Sequence, residues 1–104
     1  MQDFENPQRA LAFARIECHY FTNRAFMPSD TFLLDKIRST IQHIPTRIVQ
    51  GRYDIVCPMQ TAWELSKTLP QAELRIIPDA GHSMTEPGTM RELLQATEDF
   101  KTLY

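Results

Sequence analysis

Apolar positions along the chain change period as the chain advances, and the changes mark its elements. Leu11, Ala14, Cys18 and Phe21 recur at spacings of 3, 4 and 3 residues, which lays them on one helical face. Asn6 is a good cap for that helix and Pro7 suits its first position. Residues 22–28 break the pattern and read as a connection. Ser29 then caps a second helix with a stripe of Leu34, Ile37, Ile41 and Ile44, closed by Pro45. Thr46 to Gln50 is short, β-branched and ended by Gly51, so it predicts a strand. Pro58 opens a third helix carrying Ala62, Leu65 and Leu69 up to Pro70. Glu73 to Ile77 predicts a second strand, stopped by Pro78. A turn-rich stretch follows from Asp79 to Gly88, and Thr89-Met90-Arg91-Glu92 matches a capping box for a last helix. Met90, Leu93, Leu94, Thr97 and Phe100 line one side of that helix.

The predicted order is α-α-β-α-β-α. Its centre is a β-α-β unit, which implies two parallel strands joined by a crossover helix. Parallel sheets are covered on both faces, and two strands make a poor sheet by themselves. The pattern is therefore that of one end of a larger α/β fold.

Composition narrows the partners. The chain has 104 residues, enough for one small domain. Eleven Lys and Arg stand against 13 Asp and Glu, and a net charge of −2 gives no electrostatic footprint for nucleic acid or an anionic membrane. No apolar run approaches the ~20 residues of a membrane helix. The acidic, polar opening does not read as a secretory signal. Cys18 and Cys57 are too few for a disulfide scaffold or a Cys-rich zinc site, and a reducing, cytoplasmic setting is the expectation. His19 and His43 have no metal-ligand spacing and read as surface or structural; Trp63 reads as packing.

Open α/β sheets place their chemistry at the carboxyl ends of the strands. Two loops fall there: Gly51 to Pro58 after the first strand, and Pro78 to Ser83 after the second. Asp54 and His82, one on each loop, lie 28 residues apart, a separation that one crossover helix accounts for. A carboxylate that accepts from a histidine ring nitrogen fixes its tautomer and stabilises the imidazolium, which is the acid–base half of a nucleophilic triad. Each residue has a plainer reading. His82 suits a turn, Asp54 suits the end of a strand, and Asp79 is a rival partner nearer to His82 in sequence, although it precedes a tight Ala-Gly turn. Glu17 has Phe13, Ala14, Tyr20 and Phe21 as its helical neighbours and no cation among them. It is therefore either a surface carboxylate or one kept for a cationic ligand. Cys57 reads as a structural thiol or, lying close to His82, as a reactive one.

Three blocks carry a resemblance. Gly-Arg-Tyr-Asp-Ile-Val-Cys-Pro-Met-Gln (51–60), Pro-Asp-Ala-Gly-His-Ser (78–83) and Ala-Arg-Ile-Glu-Cys-His-Tyr-Phe (14–21) resemble, in order and spacing, the C-terminal third of the proline iminopeptidase (prolyl aminopeptidase) family of α/β-hydrolases. The similarity runs from about residue 8 to the end. Where the family usually has Asn, this chain has Cys18 beside Glu17. The resemblance implies an α/β fold: residues 1–27 would be the end of a helical cap subdomain and residues 28–104 the C-terminal part of the hydrolase core. It implies Asp54 as triad acid, His82 as triad base, Glu17 as the carboxylate that binds the amine of an N-terminal proline, and Cys57 as a thiol near the site. It implies release of N-terminal proline from a peptide through an acyl-enzyme, with no metal and no organic cofactor.

One part of the machinery is missing. A nucleophile elbow needs Gly-x-Ser-x-Gly. The only glycines are Gly51, Gly81 and Gly88, and the only serines Ser29, Ser39, Ser66 and Ser83. Ser83 has Gly81 two residues before it, but Thr85 stands where the second glycine belongs. Ser83 also follows Asp54 and adjoins His82, against the triad order of α/β-hydrolases. The expectation is a chain inactive alone, either a truncated product or a partner of a separate N-terminal chain. The alternatives are a non-catalytic remnant or interaction module, and a portion of another α/β-hydrolase of esterase or epoxide-hydrolase type.

Overall fold

The computed structural model describes residues 6–103. It shows an α/β arrangement in the predicted order: helix α1 (Pro7–Thr22), helix α2 (Phe32–Thr40), strand β1 (Thr46–Gly51), helix α3 (Met59–Thr68), strand β2 (Ala72–Ile77) and helix α4 (Pro87–Phe100). The chain divides into two compact units, one up to Leu33 and one from Leu34 onward.

In the first unit, α1 starts where its cap dictates. The Asn6 Oδ1 accepts from the backbone N–H groups of Gln8 at 3.0 Å and Arg9 at 3.4 Å, and Pro7 occupies the first turn. After Asn23, Arg24, Ala25 and Phe26 take positive φ angles of 50°, 52° and 60°, a left-handed turn without glycine. The His19, Tyr20 and Phe26 rings pack around this turn, with centroids 5.3 Å apart for His19–Phe26 and 5.6 Å for Tyr20–Phe26. No residue of α1 is buried, so its apolar stripe remains open.

The second unit holds the sheet. Strands β1 and β2 pair in parallel, in a register running from Thr46 opposite Ala72 to Gly51 opposite Ile77. Both strands therefore end at the same level, and the loops that follow leave from one rim. Helices α3 and α4 pack on the sheet through small residues, burying Ala62 and Thr68 from α3 and Thr89 and Ala96 from α4. The core is completed by Leu69, Ile77 and Ala80. Arg47 on β1 joins three elements: its Nη2 lies 2.8 Å from Oε2 of Glu73 on β2, and its Nη1 pairs with Asp99 on α4. The hydrogen bond to Asp99 is the main reason that the Arg47 guanidinium is held above its ordinary range and the Asp99 carboxyl below its own.

Three sequence expectations are corrected. Helix α2 begins at Phe32 and ends at Thr40, so Ile41 and Ile44 lie in turns beyond it. Helix α4 begins at Pro87, not at a Thr89 cap. Pro suits the first helical turn, Glu86 takes the cap position, and Thr89 is buried inside the helix. Trp63 is half-exposed on α3, with the Lys67 ammonium 5.4 Å from its ring centroid. No helix among the described residues is long and apolar enough to cross a membrane.

Candidate active site

The rim of the sheet is built by backbone first. The Arg52 N–H donates to the Ile77 carbonyl at 2.9 Å and the Tyr53 N–H to the Ala80 carbonyl at 3.0 Å, extending the strand pairing into the two loops. This approach is close. A Cβ at Gly51 would stand 2.0 Å from the Gly81 carbonyl oxygen and 2.7 Å from that of Ala80. No described glycine has a positive φ, so Gly51 serves here by the volume it lacks and not by its conformational freedom.

Zipped in this way, the loops bring Asp54 against His82. The His82 Nδ1 lies 3.0 Å from Asp54 Oδ2 and 3.1 Å from Oδ1. Oδ1 also accepts from the Cys57 backbone N–H at 2.8 Å, which locks the carboxylate in its own loop. The Asp54 side chain is 8% exposed and that of His82 56%. The Cys57 N–H holds the Asp54 carboxyl below the usual aspartate range; burial opposes this, while the His82 hydrogen bond and charge and the Val56 N–H reinforce it. An ionised carboxylate only accepts, so the hydrogen bond requires a proton of His82 on Nδ1; in the neutral ring the lone pair is then on Nε2. The pair is thus a fixed carboxylate acceptor holding a half-exposed imidazole. Asp79, the nearer rival in sequence, stays in the turn after β2.

Cys57 is exposed, and its sulfur, an Asp54 oxygen and a His82 ring nitrogen all lie within 4.8 Å of one another. Glu17 is exposed on α1 in the first unit. The Ser83 Oγ is 2.7 Å from the Thr85 hydroxyl and accepts from the Thr85 N–H at 3.2 Å, which ties it into its own turn.

Two supporting residues escape the motif reading. The Gly81 N–H donates to Glu86 Oε2 at 2.5 Å, so the carboxylate heading α4 holds the loop that bears His82. The Gln50 Nε2 donates to the Cys57 carbonyl at 2.9 Å and so holds the loop that bears Asp54. An acidic residue directly before Pro87, at a helix start, was the available signal for Glu86; Gln50 had none beyond its place at the end of a strand. An open cavity of about 430 Å³ lies along β2 and α4, lined in part by Arg75, Asp79, Arg91 and Glu92; neither Asp54 nor His82 lines it.

No family model matches the chain. It is 55% identical over 103 residues to a proline iminopeptidase of Arabidopsis thaliana, covering 99% of this chain and 27% of that protein. It is 57% identical over 97 residues to a probable proline iminopeptidase of Leptolyngbya boryana, covering 93% of this chain and 30% of the relative. It is 50% identical over 95 residues to the proline iminopeptidase of Neisseria gonorrhoeae, covering 91% and 30%. The chain is homologous to proline iminopeptidase, of the α/β-hydrolase family, over most of its length, and it spans about 30% of the length of these relatives.

Proposed function

We propose that the chain is the Asp- and His-bearing C-terminal portion of a serine-type proline iminopeptidase, an enzyme that releases N-terminal proline from peptides. The observation that carries this reading is the Asp54–His82 hydrogen bond, formed in a chain at least 50% identical to such enzymes over nearly its full length. In the proposed reaction a serine from outside these residues attacks the carbonyl of the N-terminal proline. His82 Nε2 takes the serine proton, Asp54 stabilises the imidazolium through Nδ1, and His82 then protonates the departing amine. Water would hydrolyse the acyl-enzyme by the same proton path. Residues 1–27 would close a helical cap, in which Glu17 binds the substrate's cationic amine. Neither a metal nor an organic cofactor takes part in this scheme.

The test is complementation. The chain is co-expressed with the part of the Leptolyngbya relative that precedes the matched region, and release of arylamine from a proline-arylamide is measured. Turnover is expected with both parts, none with either alone, and His82→Ala is expected to abolish it. An assembled pair that cleaves aryl esters but no proline-arylamide would assign the chain to another α/β-hydrolase activity. A second reading, a non-catalytic remnant or interaction module, is favoured by one observation. Large apolar side chains stand open on the second unit, Ile55 at 90% and Leu94 at 61% exposure among them. Failure of every complementation pair, with the chain folded, would favour that reading.

A further inference from the structure

We propose that Asp54, Cys57 and His82 form a site for a thiophilic divalent metal, Zn²⁺ being the ion that best fits the donor set. One thiol sulfur, one imidazole nitrogen and one carboxylate oxygen all lie within 4.8 Å of one another, on two loops that backbone hydrogen bonds already hold together. A tetrahedral zinc has bonds of about 2.3 Å to sulfur and about 2.0–2.2 Å to nitrogen and oxygen, which puts ligand atoms about 3.3–3.6 Å apart. The His82 Nδ1 and Asp54 Oδ2, at 3.0 Å, are nearly at that spacing. Only the sulfur has to close in, and it belongs to an exposed, free thiol. The charges match as well: a thiolate and a carboxylate neutralise the dication, a neutral imidazole supplies the third bond, and water takes the fourth position.

The protons balance as follows. The thiol loses one proton to solvent as sulfur binds the metal. The His82 proton moves from Nδ1 to Nε2, because the metal takes the Nδ1 lone pair. Coordination therefore places a proton on the atom that must accept one if His82 is a base. Metal binding itself does not depend on the proposed function, but its consequence, reversible inhibition of that function, does.

The experiment titrates the 104-residue chain with Co²⁺ alone, and with Zn²⁺ in competition with a chromophoric chelator. One equivalent is expected to bind. With Co²⁺, a thiolate-to-cobalt charge-transfer band should appear and should vanish when Zn²⁺ is added. Cys57→Ser should abolish the band and weaken Zn²⁺ binding at least tenfold. His82→Gln should weaken Zn²⁺ binding at least tenfold, and Cys18→Ser should change nothing. The proposal is overturned if the band survives Cys57→Ser, if it depends on Cys18, or if neither Cys57→Ser nor His82→Gln weakens Zn²⁺ binding. Failed complementation with intact metal binding would refute the proposed function alone, and the converse result the metal site alone.

Discussion

Replacing Gly51 by Ala tests in one change how the fold creates the site. The added Cβ would lie 2.0 Å from the Gly81 carbonyl oxygen and 2.9 Å from the Ala80 carbonyl carbon, where ordinary contact begins at 3.4 Å. Both obstacles are backbone, so no side-chain rotation relieves them. The loops must separate by more than an ångström, which takes the 3.0 Å bond from the Tyr53 N–H to the Ala80 carbonyl out of range. Overpacking costs about 1–3 kcal/mol. A lost backbone hydrogen bond adds about 0.5–1.5 kcal/mol. The sum, about 1.5–4.5 kcal/mol, corresponds in a chain of this size to a fall in Tm of at least about 6 °C. Gly81→Ala is the matched control, because its Cβ would approach nothing nearer than a Glu86 carboxylate oxygen at 3.4 Å and the Tyr53 carbonyl oxygen at 3.8 Å, both ordinary contacts. The assay is thermal unfolding followed by circular dichroism, with nitrogen-15 NMR of the His82 ring reporting whether Nδ1 keeps its proton. If Gly51→Ala melts with Gly81→Ala and His82 keeps the Nδ1 tautomer, the close approach does not set the site.

Three further outcomes follow from the same contacts. Glu86→Ala removes the acceptor of the Gly81 N–H and should speed hydrogen exchange at that amide, with Glu86→Gln restoring much of the protection. Because the native Asp54 carboxyl is held below its ordinary range, the unfolded chain binds more protons once pH falls into the ordinary aspartate range; the stabilisation is whole above that range and is lost as pH falls through the native value. Acid titration of stability should accordingly be shallower in Asp54→Asn than in the parent, but not flat, since Asp99 is lowered as well by its bond to Arg47. Under the proposed function, Glu17→Gln in a complemented enzyme should raise KM for proline-arylamides with a smaller change in kcat, and an unchanged KM would remove Glu17 from the amine site.

The element order was legible because several boundaries are marked by a residue with one structural meaning. Asn6 and Pro7 start a helix, Pro70 follows the end of another, and Gly51 and Pro78 close the strands, whereas Pro45 lies five residues past the end of α2 at Thr40. The meeting of Asp54 and His82 was legible too, because a β-α-β unit returns both strands to one rim. The start of α4 was misread because Thr-x-x-Glu matches a capping box while Glu86-Pro87 is an equally good start with its cap three residues earlier; the helix start packs on Ile77, with Gly88 so close that a Cβ there would lie 2.6 Å from the Ile77 Cγ2. The apolar stripe of α1 was legible, but its exposure was not, because periodicity gives a face and says nothing of what covers it.

Among the described residues, the hydrogen bonds that orient the Asp54–His82 pair lie within residues 50–86: Gln50 on the Cys57 carbonyl, Cys57 on Asp54, Tyr53 on Ala80, and Gly81 on Glu86. These bonds fix the tautomer and direction of the pair within one stretch of the chain, from the end of β1 to the head of α4. A nucleophile is different, since its own activation requires a base already in place. This asymmetry gives complementation its physical basis. Under the proposed function, the half of the machinery that must be preorganised is formed locally by this chain, and the incoming half has only to present a serine hydroxyl to Nε2. Had the tautomer of His82 depended on residues outside the chain, joining the two parts would have had to build the base as well as deliver the nucleophile.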